Sequence, residues 1–217
     1  MKGLILKDII NMKRNAKFLL AMAVLYGFMA FSMESSSFFS GVFTLIFATM
    51  TLYSFSLDEI AKWDGYALTM PIKRENVIQG KYLFMLILTF AGLVINMLIT
   101  FLMNVAIKAE KLSSGLEESA IGTAIVILFY SIIIPIIIKF GVEKARFMLV
   151  AIYMIPFIAG TGIFKFLKQR YPEPPQILVH IAGFLYDNVY IIVPVFLLVS
   201  LLISYRISIR IYRKKEF

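Results

Sequence analysis

Six apolar runs separated by short charged breaks make up most of this chain. The runs are Phe18–Met33, Phe38–Leu57, Tyr82–Ile107, Ala120–Ile138, Phe147–Phe164 and Val189–Tyr205. Each is near or above the length needed to cross about 30 Å of hydrocarbon. None shows the strict alternation of a barrel strand, so each predicts a helix. The expected fold is an all-α membrane protein with six transmembrane helices, one transmembrane domain over residues 1–217.

The breaks predict further elements. In Met1–Lys17, Leu4, Ile5, Ile9, Met12 and Ala16 fall near helical spacing, with Lys7, Asp8, Lys13 and Arg14 largely away from them. That pattern predicts an amphipathic helix lying in the membrane interface. Between the second and third runs, Asp58–Lys81 predicts a short helix over roughly Glu59–Leu68, capped by Ser56 or Asp58 and ended by Pro71. The segment 165–188 contains Tyr171-Pro172-Glu173-Pro174-Pro175 and then QILVHIAGFLY, apolar but too short to span. It predicts a short outer helix before the last span.

Two runs carry polar stripes. Ser40, Thr44, Ala48 and Thr51 share one face of the second; Thr89, Gly92, Asn96, Thr100 and Met103 share one face of the third. Small and polar residues on one side of a membrane helix serve tight packing, or they line a polar path. On the second reading the path-lining residues are Thr44, Thr51, Thr89, Asn96 and Thr100.

Charge supplies orientation. Of 22 Lys and Arg, 17 fall on Met1–Lys17, Asp58–Lys81, Lys139–Arg146 and Arg206–Phe217. The other breaks hold five. Basic residues collect on the inner side, so both termini are expected in the cytoplasm. The net charge of +9 is mostly topology, together with attraction to anionic membrane lipids. No folded domain carries a basic face, which argues against nucleic acid as a partner.

Catalytic material is scarce. The 60% hydrophobic chain, with a mean hydropathy of +0.86, has no cysteine and one histidine, His180. Thiol chemistry, disulfides and cysteine-based metal sites are excluded, and a histidine metal site has too few ligands. There is no P-loop, H-E-x-x-H or G-x-S-x-G motif, and no carboxylate pair within a run. The chain is not expected to be an enzyme, nor to hold a cofactor or metal of its own. Buried acids of the kind ion-driven transporters use are also missing.

Attention therefore falls on Asp58–Lys81, which holds the only tryptophan. Ile60, Trp63 and Ala67 share one helical face; Glu59, Lys62 and Tyr66 share another. Such a helix rests its apolar face on the membrane domain and offers charges and aromatics to a cytosolic partner. Interfacial anchoring by Trp63 and Tyr66 is the alternative.

The string DEIAKWDGYALTMPIKR from Asp58 to Arg74, followed by Lys81-Tyr82, resembles the bacterial ABC type-2 permease family. It is most similar to the short six-span branch that contains permeases of phenol-soluble modulin exporters. The opening MKGLILKD resembles that family's start, and Met70 stands where leucine is usual before the proline.

The resemblance implies a multi-pass permease of the bacterial plasma membrane. ATP and Mg would be bound by a separate cytoplasmic ABC ATPase subunit. Residues 58–81 would then be the coupling segment, with Glu59, Lys62, Trp63, Asp64, Tyr66 and Arg74 contacting that ATPase. It also implies a second permease copy, as a homodimer or a heterodimer of paralogues. The cargo would be an amphipathic peptide, toxin or antimicrobial, giving resistance to such peptides, or alternatively a lipid or hydrophobic drug. A non-transport sensor or immunity protein on the same scaffold is the competing reading.

Overall fold

The computed structural model describes residues 2–13, 42–107, 112–170 and 187–215, with isolated positions between 17 and 28 and at 183. Its helices, in chain order, are α1 (Lys2–Lys13), α2 (Val42–Ile60), α3 (Trp63–Thr69), α4 (Arg74–Ile107), α5 (Leu112–Phe140), α6 (Val142–Arg170) and α7 (Val189–Lys214). The long helix α4 is the centre of the bundle, packed against α2, α5 and α7. Helix α7 also lies along α5, α6 leans on α5, and α1 rests across α4 and α2.

The core is apolar and continuous. Phe84, Met85 and Ile134 are fully buried. Val77, Ile78 and Tyr82 of α4 meet Val126, Tyr130 and Ile138 of α5, with Tyr212 of α7 and Ala67 of α3 closing one end. The outer surface is apolar too. Phe90, Leu98 and Phe101 on α4 and Ile191, Phe196 and Leu202 on α7 are exposed. Water does not tolerate contiguous apolar faces of this extent, whereas hydrocarbon does. The protein is a membrane protein.

The expectation of six transmembrane helices is corrected. Among the described residues, three helices are long and apolar enough to cross a membrane: Arg74–Leu102, Ser119–Phe140 and Val189–Lys214. The described stretch of α2, Val42–Ile60, ends on Asp58, Glu59 and Ile60 and carries Thr44, Thr51 and Ser54 along its length. Thr44 and Ser54 are spent on contacts inside the bundle, with Thr123 and Asp8, and the acidic end lowers the hydropathy of this stretch. Helix α6 opens on Glu143, Lys144 and Arg146, and many of its side chains are outside the described set. The run Phe18–Met33 lies largely outside the described residues, as does most of the outer segment expected over 165–188, with His180; the first residues of that segment, up to Arg170, continue α6 instead of leaving the helix.

The expected elements also shift at their edges. Helix α1 forms, but Asp8 turns into the bundle and is buried while Leu6, Ile9 and Ile10 face outward. Asp58 is no helix cap; it belongs to the last turns of α2, which runs on to Ile60. Lys62, at φ 48°, breaks the backbone before α3 begins. Ile60 is consequently exposed instead of sharing the packed face of Trp63 and Ala67.

One interhelical network follows directly from a proline. Pro135 lies inside α5 and has no N–H to give to the carbonyl of Ser131, four residues earlier. Ser204 of α7 donates its hydroxyl to that carbonyl. Ser204 in turn contacts the Tyr82 hydroxyl at 2.6 Å, and Ser208 contacts the same hydroxyl at 2.8 Å. Proline in a membrane helix is tolerated where a neighbour re-satisfies the freed group, as here. Ser204→Ala is expected to cost about 1 kcal/mol in detergent unfolding. The loss should shrink in a Pro135→Ala background, where the helix satisfies Ser131 itself; equal losses in both backgrounds would break the link.

Candidate functional site

One end of the bundle gathers the charged residues. The C-terminal turns of α2, helix α3, the start of α4, the α5–α6 turn and the end of α7 meet there. They enclose a cavity of about 100 Å³ lined by Asp58, Glu59, Asp64, Lys81, Tyr212 and Lys215 together with apolar side chains. An open groove of about 480 Å³ runs beside it, between Lys7, Ile10 and Asn11 of α1 and Leu57, Ala61 and Trp63.

Beneath α3 sits a buried ionic cluster. Lys81 Nζ lies 2.6 Å from Asp58 Oδ2 and 3.1 Å from Asp8 Oδ1. Lys7 Nζ lies 2.6 Å from Asp58 Oδ1 and 3.3 Å from Asp8 Oδ1. Ser54 donates to Asp8 at 2.9 Å and accepts from Lys81 at 2.6 Å. Two cations and two anions cancel, and the hydroxyl fills remaining hydrogen-bond capacity. That is the condition under which buried charge is tolerated. Three helices are joined by it: α1 through Lys7 and Asp8, α2 through Ser54 and Asp58, and α4 through Lys81.

The six residues expected to couple to an ATPase occupy different positions at this end. Lys62 and Tyr66 are exposed. Trp63 is half-buried, its ring 5.5 Å from that of Tyr66 and 4.2 Å beneath the Lys7 ammonium. Asp64 accepts a hydrogen bond from the Tyr212 hydroxyl at 3.0 Å. Burial pushes the Asp64 carboxyl above the ordinary carboxylate range, against the opposing pull of Tyr212 and Lys215. Arg74 donates to the carbonyls of Arg213 at 2.7 Å and Lys215 at 3.3 Å, closing the C-terminus of α7 where a cation suits the helix dipole. Arg213 pairs with Glu75 next to it.

Glu59 acts as a cap supplied from another helix. Its Oε2 accepts the Val142 N–H at 2.7 Å, at the N-terminus of α6. The approach requires a glycine. Gly141 has φ 84°, and a Cβ placed on it would lie 2.8 Å from Glu59 Oε1. Gly141→Ala is therefore expected to destabilise the fold by about 1–2 kcal/mol, through left-handed backbone strain and displacement of the cap. A thermal melt in detergent unchanged from wild type would refute this account.

The polar stripe lies inside the bundle. Thr44, Thr51, Thr89, Asn96 and Thr100 are all buried. Thr44 meets Thr123 of α5 at 3.5 Å, Thr89 bonds the Met85 carbonyl, and Asn96 donates to Ser119 at 2.9 Å. The Thr51 hydroxyl is enclosed without a hydrogen-bond partner among the described residues. No group of metal-ligating side chains occurs among the described residues.

Sequence reasoning gave no role to Lys7, Asp8, Ser54 or Lys81. A signal was present in two of them. A lysine at the entry of an apolar run and an aspartate within a short amphipathic helix each need a counter-charge if buried. Neither residue names its partners, which lie 27 to 73 residues away on other helices for Ser54–Lys81, Asp8–Ser54 and Asp8–Lys81.

Comparison with known proteins adds the family. A protein-family model described as ABC-2 family transporter protein matches residues 3–213, nearly the whole chain. No curated protein and no solved structure matches it. The chain belongs to the ABC-2 family of membrane transporter proteins.

Proposed function

We propose that this chain is the permease subunit of an exporter for amphipathic peptides, driven through α3 by a separate ATPase. ABC-2 permeases are non-catalytic transport components, and such subunits pair with a cytoplasmic ATPase. The observation that carries the coupling reading is the surface at the charged end. Ile60, Lys62 and Tyr66 project from it, while Asp58, Glu59, Asp64 and Arg74 are tied into α1, α4, α6 and α7. Exposed aromatic and aliphatic groups on a firmly held support are what a docking partner needs. In this reading Ile60, Lys62 and Tyr66 touch the ATPase, and Glu59, Trp63, Asp64 and Arg74 hold them in place.

Residues 1–217 form one permease domain that works as a pair, a homodimer or a heterodimer of paralogues. The concentration of Lys and Arg on the α3 end supports a cytoplasmic position for that end, against anionic headgroups. Thr44, Thr51, Thr89, Asn96 and Thr100 line the path when α2 and α4 part from α5. The unmet Thr51 hydroxyl and the long Thr44–Thr123 contact mark a seam that is incompletely satisfied when closed. A wall of apolar side chains with scattered hydroxyls suits a cargo with one apolar face. It does not compensate a desolvated ion.

Purification from mild detergent tests the coupling reading. An ATPase should copurify with the wild-type chain and with both of its permease copies. Deleting the permease should retain amphipathic peptides inside the cell and raise sensitivity to added ones. Unchanged secretion and tolerance, with a lipid or drug efflux defect instead, would replace the peptide cargo.

A further inference from the structure

We infer that Lys81 is a positioning residue whose pairing with Asp8 and Asp58 makes α1, α2 and α4 move as one body when α3 is displaced. The inference rests on the proposed coupling role of α3 and specifies the part of the chain that receives the displacement.

The geometry is specific on this point. Lys81 is buried and bonds both carboxylates, one on α1 and one on α2, from its own position on α4. Asp58 is five residues before Trp63, so the cluster lies at the root of α3. Lys7 reaches both carboxylates from α1 and also covers the Trp63 ring, adding a direct link from α1 to α3. Sliding α1 past α4 would part Asp8 from Lys81, leaving Asp8 with Lys7 and Lys81 with Asp58. Losing one partner at the enclosed side of the cluster opposes that motion more than sliding of apolar surfaces does. Packing between α1 and α4 is close at the same level. A Cβ placed on Gly80 would lie 3.5 Å from Leu4 Cβ.

That distance also supplies the test, because the chain has no cysteine. A separation of about 3.5–4.5 Å between Cβ atoms suits a disulfide. Leu4→Cys with Gly80→Cys is therefore a reversible covalent substitute for the ionic pin. The full permease is purified with its ATPase, and permease-stimulated ATP hydrolysis is measured under oxidising and reducing conditions. Lys81→Met should retain the bound ATPase yet lose stimulation by about tenfold, a coupling of ordinary allosteric size. Lys81→Arg, which keeps the charge, should lose much less.

Oxidising the cysteine pair in the Lys81→Met chain should restore stimulation, and reduction should abolish it again. A general structural role for Lys81 gives no such reversible rescue. Full stimulation in Lys81→Met, or failure of the oxidised pair to restore it, overturns the inference. Where Lys81→Met does not fold, the cysteine pair in the otherwise wild-type chain decides. Stimulation at the wild-type level after oxidation supports a rigid unit. A loss reversed by reduction shows that α1 slides on α4, and the inference fails. Absence of any ATPase from the wild-type preparation overturns the coupling reading itself, and the inference with it.

Discussion

Lys81→Met should destabilise the folded permease by about 3–5 kcal/mol, the usual loss when one partner of a buried ion pair is removed. Lys81 is the most enclosed cation of its cluster, with side-chain exposure of 6% against 20% for Lys7. Its removal leaves Asp8 and Asp58 with only Lys7 between them and strips Ser54 of a donor. Methionine matches the stem of lysine in length, so the loss reports the charge more than the packing. Lys7→Met should cost less, because its site admits water, which screens the remaining carboxylates. Lys81→Met combined with Asp58→Asn should be less damaging than the sum of the two single changes, since each removes a charge that the other leaves unpaired. Denaturant titration in detergent micelles measures all four proteins. A Lys81→Met midpoint equal to wild type would mean that the cluster contributes nothing to the fold.

Tyr66→Ala and Trp63→Ala should separate docking from support. Tyr66 is exposed beside the half-buried Trp63, and its backbone carbonyl accepts a hydrogen bond from Thr69 within α3. Truncating it should leave the melting temperature unchanged. ATPase affinity should fall by about 2 kcal/mol, close to 30-fold, the size of an aromatic hot spot. Trp63 packs against the core at the base of α3 and lies under Lys7. Its truncation should lower stability by about 2 kcal/mol, below the full cost for a buried tryptophan because it is partly exposed and its indole N–H has no partner among the described residues. ATPase coupling should fall in this variant as well, through loss of the α3 position. Titration of the ATPase onto immobilised permease, paired with thermal melts, distinguishes the two. If Tyr66→Ala binds the ATPase as wild type does, the exposed face of α3 is not the docking surface.

The site was partly legible in advance because it breaks a local rule. Asp58–Lys81 is a charged stretch with an aromatic pair inside an otherwise apolar chain, and periodicity marks it without reference to any partner. The direction in which its charges point was not legible. Glu59 and Arg74 read as groups offered to a partner; Glu59 is exposed in the fold and Arg74 half-buried. In the folded chain Glu59 caps α6 from a distance of 83 residues and Arg74 closes α7 from 139. A helix end leaves unsatisfied N–H or carbonyl groups, and whichever charged side chain the fold brings near will satisfy them. Sequence spacing carries no record of that encounter.

The division between the two levels is physical. Hydropathy, helical periodicity and the Lys and Arg distribution are properties of single segments. By themselves they determined an all-α membrane protein and a charged segment between the second and third runs; the residues of that segment carry the resemblance to a permease family. The number of helices able to span depends on more than apolar runs. Thr44, Thr51, Ser54 and Asp58 of α2 are buried against its neighbours, contacts that a run of apolar residues does not announce. Tertiary structure alone decided that Asp8 faces inward against the expected polarity of α1. Its carboxylate is stabilised there by Lys81 and Ser54, residues on two other helices that become its neighbours only when the bundle closes.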